Sequence, residues 1–165
     1  MKRSLLAVAF ALVAVVPQVN AQTTATVSTT LSFTMNQRLF LDVSDNALVF
    51  PSPTLADLDA GYTQTVSHNV LHKGNVPHTI TVAPDAATWN APVTYPGTKS
   101  ADDLEWSNNG GTSWNTVSAA VNVGTGVRGG FGLNPDIPVN WRTAIAYTEP
   151  DGAYNLTVTY TSTAN

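Results

Sequence analysis

Apolar side chains recur at every second position through most of this chain, and that rhythm confines it to β-structure. Successive side chains of a strand point to opposite faces, so alternate residues can be dry while their neighbours stay wet. Tyr154, Leu156, Val158 and Tyr160 share one face, and Asn155, Thr157, Thr159 and Thr161 share the other. Ala25, Val27, Leu31, Phe33 and Met35 form a second such row, opposed by Thr26, Ser32 and Thr34. Leu39, Leu41 and Val43 alternate after Arg38, and Ala47 to Phe50 is a short apolar stretch before Pro51. Residues 62–71 and 77–84 read as strands, the second through Ile80 and Val82. Ile137, Val139, Trp141, Ile145 and Tyr147 line a long candidate strand, and only residues 53–60 suggest a helical turn.

Ten prolines and eleven glycines break these runs at intervals of about ten residues, the spacing of a sandwich or barrel. The expected fold is all-β: a single antiparallel β-sandwich, immunoglobulin-like or related, of about seven to ten strands. Its core is expected to hold the Ala25–Met35 row (Val27, Leu31, Phe33, Met35), Trp141, and the row Tyr154, Leu156, Val158 and Tyr160.

Residues 1–21 read as a cleavable signal peptide. Lys2 and Arg3 precede an apolar run from Leu5 to Val16, and Val19-Asn20-Ala21 places small residues at the cleavage point. That run is shorter than the ~20 residues a spanning helix needs, and Pro17 ends it. Residues 22–165 then form one domain of 144 residues, with five Lys and Arg against eleven Asp and Glu, a balance of −6. A chain so acidic lacks the basic face that a nucleic-acid backbone requires. It has no cysteine, so thiol nucleophiles and cysteine-ligated metals are excluded, and export brings no disulfide.

The motifs that resemble chemistry resolve into turns. Ser107-Asn108-Asn109-Gly110-Gly111-Thr112-Ser113-Trp114 resembles the Asp-box hairpin of sialidase propellers, with Asn109 in place of the acid. The motif occurs once, and 144 residues cannot supply the sixteen or so strands of even about four propeller blades. It is expected to mark a hairpin with Trp114 folded beneath it. Gly124-Thr125-Gly126-Val127-Arg128-Gly129 fits a dinucleotide fingerprint, but Pro135 and Pro138 follow where the phosphate-binding helix should run. A glycine loop between strands, with bulges, is expected instead. His68 and His72 lie on one face of a strand at about 13 Å, too far to share a metal ion, and with His78 they read as surface or loop histidines. Asp42 and Asp45, and Asp102, Asp103 and Glu105, match neither a calcium loop nor an acid–base pair and read as solvated carboxylates. No catalytic residue, cofactor or metal ligand is assigned, and the chain is read as a non-enzyme. Trp89 and Trp114, near turns, are the candidate carbohydrate contacts.

Both terminal stretches are uncharged, from Gln22 to Gln37 and from Gly152 to Asn165. Free sheet edges are normally guarded by charge, proline or bulges, so such segments are expected to pair within the fold or with another chain. The ending Glu149-Pro150-Asp151-Gly152-Ala153-Tyr154-Asn155-Leu156-Thr157-Val158-Thr159-Tyr160 resembles the closing strand of bacterial surface β-sandwiches. It is similar to the Pro-x-Gly-x-Tyr ending of spore-coat-U-like pilin domains and resembles the last strand of WxL-type modules. The pilin resemblance implies an immunoglobulin-like sandwich that lacks one strand and receives it from a neighbour. Those domains usually carry a disulfide, which a chain without cysteine lacks. The expected function is a secreted, periplasmic or cell-surface structural or adhesive protein, pairing with itself or other surface proteins by strand addition. The alternative is a glycan-binding module using the turn tryptophans.

Overall fold

The computed structural model of the chain describes residues 28–94 and 96–165, so the expected signal peptide over residues 1–21 and Val27 lie outside the described residues. The chain divides into two units, residues 1–34 and 35–165. In the first, residues 28–34 form neither strand nor helix, and Leu31 and Phe33 are 91% and 84% exposed.

The second unit contains two antiparallel sheets in a sandwich-like, all-β arrangement. Its elements are β1 (Leu39–Val43), α1 (Leu55–Ala60), β2 (Val66–Gly74), β3 (His78–Pro84), β4 (Leu104–Ser107), β5 (Asn115–Thr116), β6 (Val121–Gly126), β7 (Ile137–Thr143) and β8 (Val158–Ala164). One sheet has the order β1-β2-β7-β4-β5, the other β6-β3-β8. β2 and β3 lie in different sheets, although only residues 75–77 separate them.

Alternation explains which residues meet between the sheets. Val70 of β2, Val139 and Trp141 of β7, and Leu104 and Trp106 of β4 point inward from the larger sheet. Ile80 and Val82 of β3 and Val123 of β6 meet them from the smaller one, with Trp89 and Val117 added from connecting segments. Each fully buried aliphatic side chain contributes roughly 1.5–3 kcal/mol relative to exposure, and this core stands without a disulfide.

The turn expected over residues 53–60 is α1. Thr54 caps it, accepting from the Asp57 amide while the Asp57 carboxylate accepts from the Thr54 amide at 2.7 Å. Gly61, at φ 79°, closes it in the left-handed region that favours glycine.

Three expectations are corrected. Leu31, Phe33 and Met35 are not in the core: Met35 is 70% exposed, and none of the three belongs to a strand. Alternation produces a strand only where a ladder partner exists, and residues 28–35 have none among the described residues. The long strand through Tyr147 stops at Thr143, because the Ala144 amide turns to the Asp103 carbonyl and the Ile145 amide to that of Gly61. Tyr147 is 62% exposed, with its hydroxyl donating to Asp59 at 2.7 Å. The final strand begins at Val158 rather than Tyr154, since Asn155 bridges to Asn90 outside either sheet. Tyr154, Leu156, Val158 and Tyr160 nonetheless pack, half-buried, against the core, and Trp141 is buried at 3% exposure.

Candidate functional site

β8 is hydrogen-bonded to β3 along its whole length, from Val158 opposite Pro84 to Ala164 opposite His78. Its other edge pairs with no strand among the described residues. Val158, Tyr160, Ser162 and Ala164 form its half-buried row, and β1 packs nearby with Leu41 and Val43 half-buried in the same core. No charged side chain lies on β8, and the buried Ser162 hydroxyl has no hydrogen-bond partner. The other edges are guarded. β1 carries Asp42, β5 has two residues, and β6 contains two glycines opposite a register shift at Ile80 and Thr81. β8 is the long, regular and unguarded edge.

The histidines are buried, contrary to the surface reading. His68 and His72 alternate with Val70 on the inner face of β2, and His78 sits inward on β3. The His68 Nδ1 meets the Asp45 carbonyl at 3.0 Å, and its Nε2 meets the Tyr160 hydroxyl at 2.7 Å. An oxygen acceptor at Nδ1 fixes the proton there, so Nε2 accepts from Tyr160. Burial pushes the Tyr160 hydroxyl above its ordinary range and holds His68 below its own.

His72 and His78 face each other across the sheets, with Nδ1 to Nε2 at 3.0 Å. The outer nitrogen of His78 meets the Val76 carbonyl at 3.0 Å. Burial and the neighbouring His78 ring hold the His72 pKa below its ordinary value, against the opposing field of Asp136. A cavity of about 260 Å³ beside them is lined by His72, Asn134, Pro135 and Asp136. Among the described residues, no group of three or more His, Asp or Glu could hold a metal ion.

The Asp-box-like segment is a hairpin between β4 and β5. Asn109 Oδ1 accepts from the Ser107 hydroxyl at 2.7 Å and from the Ser113 amide at 3.1 Å. Gly110 and Gly111 take positive φ, and Trp114 lies against Gly111. The Trp114 ring is covered by the Arg142 guanidinium, 4.4 Å away, whose carbon lies 3.8 Å from the Tyr62 ring. Of the two candidate carbohydrate contacts, Trp89 is corrected. It is 9% exposed within the core cluster, where the pairing of its amide with the Lys99 carbonyl draws it inward.

Two of the supposedly solvated acids are ion-paired. Lys99, 2% exposed, reaches Glu149 at 2.7 Å and Asp103 at 3.5 Å, and Arg142 meets Glu105 at 2.6 Å. Asp102 is not drawn into either pair.

A second concavity, of about 430 Å³, joins Arg38, Phe40, Lys73 and Arg128 at the β1–β2 end of the larger sheet. Gly74 and Gly129 exchange both backbone hydrogen bonds, at 3.2 and 2.8 Å, and so tie the loop after β6 to β2. Asn134 shapes that loop: buried, it accepts from the Val127 amide at 2.7 Å and donates to the carbonyls of Gly129 and Gly130. This gathering of basic side chains depends on a loop fold that alternation does not encode. The one hint in the sequence is how few basic residues an acidic chain has to place.

No helix among the described residues is long and apolar enough to cross a membrane. Comparisons with protein-family models, with curated proteins and with solved structures returned no match to this chain.

Proposed function

We propose that this is an exported structural or adhesive protein of the cell envelope, with an immunoglobulin-like sandwich that assembles by strand addition. Residues 28–35 of one copy would pair with the open β8 edge of the next, and no chemistry is catalysed. The observation that carries this reading is the exposure of Leu31, Phe33 and Met35, at 91%, 84% and 70%. An alternating apolar row left in water gains by entering a groove where backbone partners wait. The β8 edge supplies unpaired backbone groups, a half-buried row at Val158 and Tyr160, and no charge to repel an uncharged donor. Such a joint needs no cysteine.

The direct test is size-exclusion chromatography with light scattering on residues 22–165, beside a chain lacking residues 22–36 and a Phe33→Asp variant. The expected result is concentration-dependent oligomers for the first and folded monomers for the other two. A full-length chain that stays monomeric at every concentration would rule out the assembly.

A further inference from the structure

Basic side chains are scarce in this protein, and their placement is uneven. Between residues 22 and 165 there are five, against eleven acids. Lys99 and Arg142 are held by carboxylates at 2.7 and 2.6 Å. Arg38, Lys73 and Arg128 make no ion pair among the described residues, and all three line the 430 Å³ basin, whose lining includes no acid. Every unneutralised cation of the described chain therefore converges on one concavity of an otherwise acidic molecule. Such convergence is repulsive until an anion occupies it.

The basin is built rather than accidental. The Lys73 ammonium sits 4.3 Å from the centre of the Phe131 ring and 4.9 Å from that of Phe40, and the two rings meet edge to face at 5.5 Å. Their quadrupoles hold the charge in place while leaving its outward side to a ligand. Asn75 fixes the root of Arg38, accepting from its amide at 2.7 Å, and the Gly74–Gly129 pair fixes the root of Arg128. Phe40, 38% exposed, lines the basin, and Phe131, 40% exposed, packs edge-on against it, so the basin has an apolar side.

We propose that this basin is a binding site for a uronate-bearing saccharide, separate from the strand-addition surface. A carboxylate matches the guanidinium forks of Arg38 and Arg128 and the point charge of Lys73. The apolar C–H face of a sugar ring matches the phenyl side of the basin. A long, densely charged polyanion is disfavoured by the net charge of −6 over residues 22–165. The ligand is a locally anionic, otherwise neutral ring, either free or at the end of a polysaccharide.

The test is a titration of ¹⁵N-labelled protein, followed by amide chemical shifts, with galacturonate, trigalacturonate and neutral galactotriose. Shifts confined to residues 38–40, 73–75 and 128–131 are expected with the uronates and none with galactotriose. Equal affinity for both uronates identifies a free sugar, and preference for the trimer identifies a polysaccharide end. Lys73→Gln and Arg128→Gln should each weaken binding about tenfold, the worth of one charge-assisted hydrogen bond, with the remaining amide spectrum unchanged. Absence of saturable shifts with either uronate at millimolar concentration, equal binding of galactotriose, or shifts centred elsewhere would each overturn the assignment.

Discussion

His68 and His72 stand four residues apart on β2, and each reaches from one sheet to the other, the first to Tyr160 of β8 and the second to His78 of β3. Imidazoles in such a place make stability depend on pH. Burial holds both groups below the ordinary value of 6.5, so between that value and their folded pKa the unfolded chain binds protons that the fold excludes. Stability is full above pH 6.5 and declines as the pH drops through the folded values. Urea midpoints at pH 7.5 and 5.0 should show the loss, and His68→Gln should flatten the dependence. Sequence periodicity placed 68 and 72 on one face, but it could not reveal the His72–His78 contact. That contact forms because β2 and β3, separated by three residues, enter opposite sheets. Trp141 was legible for the converse reason: it lies amid an alternating apolar strand, whereas Trp89 is carried inward by the pairing of its loop with Lys99.

At the scale of elements, β6 shows how glycine serves packing. A Cβ on Gly126 would run into the His78 ring and crowd His72, while one on Gly130, in the following loop, would meet nothing within 4 Å. Gly126→Ala should therefore cost about 1–3 kcal/mol, the usual penalty of overpacking, and Gly130→Ala should be near neutral. Thermal or urea denaturation of the two variants compares them directly. The G-x-G-x-x-G spacing that contains Gly126 is thus explained by a strand running close to a buried ring pair, with Gly124 likewise against Ile137. Alternation located β2, β3 and β7 well, because their inner rows are dry, and β1 through a row that is half-buried. It misplaced residues 28–35, whose row is equally regular, because a sequence pattern reports the capacity to pair and not the presence of a partner.

For the whole molecule, amide exchange offers a map of what is closed and what waits. Backbone groups of β2, β3 and β7, each with strands on both sides, should exchange most slowly. Those of residues 28–35 should exchange freely in the dilute monomer and, if the proposed strand addition holds, gain protection at high concentration. Unchanged exchange in an assembled sample would detach that segment from the joint.

The order of the strands carries a last consequence. β7 lies between β2 and β4, and β8 alone flanks β3 on its second side, so neither layer can be finished from earlier residues. A polypeptide emerging amino end first, from a ribosome or a translocation pore, must hold its early hydrophobic segments unmatched until residues 137–164 arrive. Such a topology keeps the nascent chain pliant during synthesis and leaves maturation to its closing stretch.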